Sequence, residues 1–131
     1  MVKRSIALDS NVVIDFLNGR PETLKFLSNY ASLYLPVTVC GELLYGALNS
    51  TRHKENYPTF KKFIESCHIL NANIVVAEEY AHIRQALKLK GSPIPENDIW
   101  IAAICVVFEI PLATNDHHFT NIEQLQLIKF W

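Results

Sequence analysis

The stretch Ile6-Ala7-Leu8-Asp9-Ser10-Asn11 constrains the fold more than any other part of the chain. An apolar run meets a carboxylate, two small polar residues follow, and an apolar pattern with helical spacing starts at Val12. The simplest arrangement is a short buried strand that ends at Asp9 and turns into a helix. Strand and helix patterns then alternate along the chain. That alternation predicts an α/β fold: a central, mostly parallel sheet of four to five short strands flanked by helices in three layers. In open sheets of this kind, ligands bind outside the carboxyl ends of the strands. Asp9 is therefore expected at the mouth of a site.

Length and charge narrow the function classes. A chain of 131 residues suggests one domain, spanning 1–131. Its net charge of −1 excludes a uniformly basic nucleic-acid glove. Bound divalent cations would reverse the local sign at an acidic site. Cys40, Cys67 and Cys105 are odd in number and far apart, which fits reduced thiols in a cytoplasmic protein and not a disulfide framework or zinc site. Lys3 and Arg4 imitate the start of a signal peptide, but Asp9 breaks the apolar run too early. The run Ile99 to Phe108 is too short to span a bilayer.

The rest of the chain supplies three further acids in comparable positions. Asn18-Gly19 ends the first helix, and Pro21 opens a second, in which Leu24, Phe26, Leu27 and Tyr30 provide apolar contacts. Asp15 is read as a solvated helix acid. Leu33 to Pro36 forms a second strand, and Thr38 caps the helix that carries Glu42. Pro58 to Ser66 reads as an amphipathic helix. The basic stretch around it (Arg52, His53, Lys54, Lys61, Lys62) reads as a solvated face, with a phosphate-contacting rim as the alternative. His68-Ile69-Leu70 is a third strand. A long helix follows from Ala72 to Lys90, with Ile74, Val75, Ala77, Ala81, Ile83, Leu87 and Leu89 apolar and Gly91 as its stop. After a loop stiffened by Pro93 and Pro95, Asn97 or Asp98 caps or opens a helix, Ile99 to Phe108, that is apolar nearly all round and hence buried. Pro111 to Thr114 is a fourth strand, ending just before Asp116, and Leu125 to Phe130 adds an edge strand.

Asp9 and Asp116 thus follow strands, while Glu42 and Asp98 open helices, and all four positions share one sheet edge. Crowded carboxylates repel and raise one another's pKa values. A divalent cation removes the conflict, and an all-oxygen set suits Mg²⁺ or Mn²⁺. The chemistry such a site serves is phosphodiester hydrolysis, with a metal-activated water and neutralised charge on the phosphorane. His117 and His118 are read as surface or structural residues, because tandem residues point to opposite sides and cannot both aim at one ion.

These motifs together resemble the PIN domain family, specifically its VapC-type toxin ribonucleases. Leu8-Asp9-Ser10-Asn11 resembles the family's opening motif and Glu42 to Ala47 its Glu-Leu-x-x-Gly helix. Asn97-Asp98-Ile99-Trp100 resembles the third acidic motif, and Thr114-Asn115-Asp116 with His118-Phe119 the fourth. Ser10 replaces a frequent Thr, and Pro95 sits where glycine is common. The resemblance implies a metal-dependent endoribonuclease acting on structured RNA such as tRNA, inhibited by a VapB-type antitoxin, and homodimeric. It implies Asp9, Glu42, Asp98 and Asp116 as catalytic residues and Asp9 and Asp98 as metal ligands, joined directly or through water by Glu42 and Asp116. Ser10, Asn11, Asn97 and Thr114 support them. Two alternatives compete. A non-catalytic PIN-like module would bind RNA or protein without cleaving. A haloacid-dehalogenase-like phosphatase would place a second aspartate where Asn11 stands.

Overall fold

The computed structural model describes residues 4–130; Lys3 of the signal-like start and both ends of the 1–131 domain lie outside them. Five parallel strands form one sheet: β1 (Arg4–Leu8), β2 (Tyr30–Pro36), β3 (His68–Leu70), β4 (Leu112–Thr114) and β5 (Leu127–Lys129), in the order β3-β2-β1-β4-β5. The helices between them are α1 (Ser10–Leu17), α2 (Pro21–Leu27), α3 (Val37–Leu48), α4 (His53–Glu65), α5 (Ile74–Lys90) and α6 (Glu96–Val107), with a short 3₁₀ turn, His117–Asn121, after β4. The chain winds outwards from β1 to β3, then crosses back to β4 and β5. With right-handed crossovers this reversal puts α1–α4 and α5–α6 on opposite faces of the sheet. It also leaves a crevice at the switch point between β1 and β4, where doubly wound sheets bind ligands.

The two central strands are dry. Ile6, Ala7, Leu8, Leu112, Ala113 and Thr114 are all fully buried. Ala7 pairs with Leu112 and Leu8 with Ala113, and the Asp9 amide donates to the Ala113 carbonyl at 3.0 Å. This register brings the ends of β1 and β4 level. Behind them α6 buries Ile99 and all of Ile101 to Cys105, as its apolar circumference required.

The expected elements are present, with several corrected boundaries and roles. Helix α1 starts at Ser10 and not at Val12, with Asp9 as its cap. Tyr30 begins β2 and does not extend α2. Thr38 is not a cap: α3 starts directly at Val37, because Pro36 fixes φ at −56° and feeds the chain into the helix without a loop. Pro58 lies inside α4, which starts five residues earlier at His53. Neither Asn97 nor Asp98 caps α6; both open it, the other position expected for them. Pro95, again at φ −56°, precedes α6, and Asp98 sits in its first turn. Helix α5 is capped by Asn73 and ends on Gly91 at φ 70°, but its Ile74, Val75 and Leu89 are exposed and not in the core.

Candidate active site

Asp9 is held on every side. Its Oδ1 accepts from the Ser10 amide at 2.8 Å, and its Oδ2 accepts from Thr114 Oγ1 at 2.7 Å and Asn11 Nδ2 at 3.1 Å. Thr114 Oγ1 in turn accepts from the Asp116 amide at 3.0 Å, and Asn11 Oδ1 accepts from the Asn115 amide at 3.2 Å. The β1 and β4 exits are thereby laced together by side chains that orient one carboxylate. Burial raises the Asp9 pKa more than these bonds lower it, with the Asp116 charge adding to the rise.

The other three acids converge on this point. Burial, then the charges of Asp9 and Asp116, lift Asp98 from an ordinary 3.8 to about 6, although His118 opposes the shift. Burial, then Asp9 and Asp98, also raises Glu42, while Asn97 and Ser10 pull it down. Glu42 Oε1 is buried with no hydrogen-bond partner, and so is Thr38 Oγ1 one helical turn before it. Asp116 caps the 3₁₀ turn, its Oδ1 accepting from the His118 amide at 2.9 Å. Thus Asp9 and Asp98 each couple to other acids of the group, Glu42 to Asp9 and Asp98, and no cation among the described residues is seen to offset the rise on Glu42 or Asp9.

The structure differs from the sequence reading at His118. Its Nδ1 stands 3.1 Å from Asp116 Oδ1 and 3.5 Å from Asp98 Oδ2. Asp98, Asp116 and His118 offer ligand atoms that all lie within 4.8 Å of one another. The period-two alternation used to dismiss both histidines does not apply, because residues 117–121 form a 3₁₀ turn. The signal was present in the spacing: a residue two beyond a capping aspartate is turned back towards it. Asp15, in contrast, pairs with Arg20 at 3.4 Å, as a structural acid should. The basic residues Arg52 and Arg84 are engaged by Glu55 and by Tyr80 and Glu96.

The donor set fits a hard divalent ion. It offers carboxylates with suppressed ionisation, an orphaned buried oxygen and positions rigidly fixed by hydrogen bonds. A family model described as "PIN domain" matches residues 6–125. The chain belongs to the PIN domain family. It is 28% identical over 127 residues to "Ribonuclease VapC1" of Haemophilus influenzae (strain R2866), covering 91% of this chain and 92% of that protein. It is 29% identical over 97 residues to "tRNA(fMet)-specific endonuclease VapC" of Salmonella typhimurium, covering 72% and 74%. The structure of VapBC-1 from nontypeable Haemophilus influenzae superposes with a TM-score of 0.86 at 25% identity, covering 95% of this chain and 97% of that one. The expected α/β architecture is therefore that of a PIN domain in both sequence and shape.

Proposed function

We propose that this chain is a divalent-metal-dependent endoribonuclease and the toxin member of a toxin–antitoxin pair. The observation that carries the reading is the convergence of Asp9, Glu42, Asp98 and Asp116 at the carboxyl edge of β1 and β4, with three of them held above the ordinary carboxylate range. Such a site is strained when empty of cations and relaxed when one is bound. Asp9 and Asp98 are the ligands in this reading, and Asp116 and Glu42 complete the set directly or through water. When bound, Mg²⁺ or Mn²⁺ would supply an acidified water and neutralise charge developing on the phosphate and the leaving oxygen. Thr114, Asn11 and Ser10 keep Asp9 in one orientation, so little reorganisation accompanies binding. Asn97 and Ser10 orient Glu42. The unpartnered, buried Oε1 of Glu42 leaves an open acceptor position that would hold the ion directly or through a water.

The substrate class follows from the relatives' ribonuclease names, and the tRNA-specific one supports a structured RNA such as tRNA. A relative of known structure is VapBC-1 from nontypeable Haemophilus influenzae, which supports a VapB-type antitoxin as the partner. We read residues 1–131 as a single domain working in the cytoplasm. All three cysteines are free, and no helix among the described residues is long and apolar enough to cross a membrane. The exposed Tyr45 and Leu48 on α3 support a homodimer.

The test is cleavage of an RNA pool after EDTA treatment, with Mg²⁺ or Mn²⁺ then restored, beside hydrolysis of p-nitrophenyl phosphate. Metal-restored RNA cleavage without monoester hydrolysis is expected. Monoester hydrolysis with intact RNA would favour the phosphatase, and RNA retained but uncut under all conditions would favour the binding module.

A further inference from the structure

His118 brings a nitrogen donor to a site otherwise built of carboxylates. Its position is fixed by the chain around it. Asp116 Oδ1 accepts from the His118 amide at 2.9 Å, and the next residue, Phe119, is fully buried, so the turn is anchored on both sides of the ring. The imidazole Nδ1 then lies 3.1 Å from Asp116 Oδ1 and 3.5 Å from Asp98 Oδ2. An octahedral ion with ligand bonds of about 2.1–2.2 Å holds neighbouring ligand atoms about 3.1 Å apart. The imidazole nitrogen already has nearly that spacing to both oxygens, and all three ligand atoms lie within 4.8 Å of one another. Glu42 Oε1, buried without a hydrogen-bond partner in a carboxyl whose pKa is raised by burial and then by the Asp9 and Asp98 charges, is a further open oxygen donor at the same edge.

We propose that His118 joins Asp98 and Asp116 in a two-carboxylate, one-imidazole site that takes Mn²⁺ in preference to Mg²⁺. This inference rests on the metal-nuclease reading and adds the identity of the ion. Mg²⁺ demands oxygen donors and retains its waters, whereas first-row transition ions accept imidazole, and Mn²⁺ is the one among them that also suits two carboxylates. An imidazole ligand therefore strengthens Mn²⁺ binding much more than Mg²⁺ binding. The competing role for His118 is that of an internal counter-cation, displaced when metal enters. The two roles predict opposite effects of removing the ring: loss of a ligand weakens Mn²⁺ binding, and loss of a competing cation strengthens binding of both ions.

The experiment uses the full-length protein stripped of metal and titrated with Mn²⁺, with bound ion measured from the loss of the free-ion electron paramagnetic resonance signal and Mg²⁺ measured by competition. Pulsed resonance on bound Mn²⁺ then detects directly coordinated nitrogen, with ¹⁵N-histidine labelling to assign it. The expected result is nitrogen coupling that changes with the label in wild type and is absent in His118→Ala. Mn²⁺ affinity should fall about tenfold or more in that variant, as when a supporting group of a metal site is removed, and Mg²⁺ affinity by less than about threefold. The labelled wild type decides the point even if the variant fails to fold. Bound Mn²⁺ without nitrogen coupling, or tighter binding of both ions by His118→Ala, overturns the inference and leaves the nuclease reading standing. Failure of wild type to bind either ion at millimolar concentration overturns both.

Discussion

Replacing Asp98 by Asn should make the metal-free protein more stable while destroying its activity. Asp98 is almost fully buried, and its carboxyl is lifted from 3.8 to about 6 by burial and by Asp9 and Asp116. At 1.36 kcal/mol per pH unit, keeping that group ionised in the folded state costs about 3 kcal/mol above pH 6. Asparagine is neutral and nearly isosteric, so it removes the penalty. It also gives up the interaction of a negative charge with the α6 N-terminus, worth about 0.3–1 kcal/mol. The net gain is roughly 2–3 kcal/mol, or about 7–10 °C in Tm given the ordinary unfolding entropy of a domain this size. The sign with pH follows from linkage. The folded-state pKa lies above the unfolded one, so the penalty is absent below about pH 3.8, grows as pH rises, and is complete above about pH 6. Urea unfolding in EDTA at pH 4 and pH 7.5 reads both effects: the variant should lead by roughly 2–3 kcal/mol at pH 7.5, and the gap should nearly close at pH 4. Mn²⁺ should close the gap at pH 7.5 at about one hundred times Kd, where wild type gains about 2.7 kcal/mol, and reverse it at about one thousand times Kd, where the gain is about 4.1 kcal/mol and the variant's much less. A variant less stable than wild type in EDTA at pH 7.5, or a gap that does not depend on pH, would refute the claim that these acids are in conflict.

Thr114→Val removes the hydroxyl that donates to Asp9 Oδ2 and accepts from the Asp116 amide, leaving buried groups unpaired. Unfolding free energy should fall by about 1–3 kcal/mol, read from the urea midpoint, and RNA cleavage should fall with it. Asp9→Asn should lose cleavage as completely as Asp98→Asn, and raised Mn²⁺ should restore part of it if the defect is weakened binding. Gly91→Ala places a side chain at φ 70°, so Tm should drop by an amount equivalent to about 1 kcal/mol with cleavage unchanged. Light scattering on the isolated chain at micromolar concentration should give a dimer mass. A monomer would leave the exposed Tyr45 and Leu48 without the proposed partner.

The acids were legible in the sequence because each sits where a buried apolar segment stops. Asp9 could be placed because Ile6 to Leu8 can only be a buried strand, and the doubly wound topology then fixes which edge it occupies. Glu42 and Asp98 were legible because each lies near the start of a helix at the carboxyl edge of the sheet, although Pro36 and Pro95 set the helix starts and made Thr38 and Asp98 unnecessary as caps. His118 was misjudged for a different reason. A 3₁₀ turn has no hydrophobic period to read, and the pairing that aims the ring depends on Asp116 and Asp98, which are distant from each other in sequence. The exposure of Ile74, Val75 and Leu89 was equally hidden: the apolar spacing of α5 is wider than the surface its neighbours cover, and a pattern does not reveal the width of its partner.

The central claim is that the four carboxylates serve RNA hydrolysis through a bound cation. It is tested most directly by incubating one RNA pool with wild type and with Asp98→Asn, each with Mn²⁺ and with EDTA. Cleavage in the wild-type reaction with Mn²⁺ alone is the predicted result. Equal cleavage in all four reactions, or none in any of them with the protein folded and the metal bound, would contradict it.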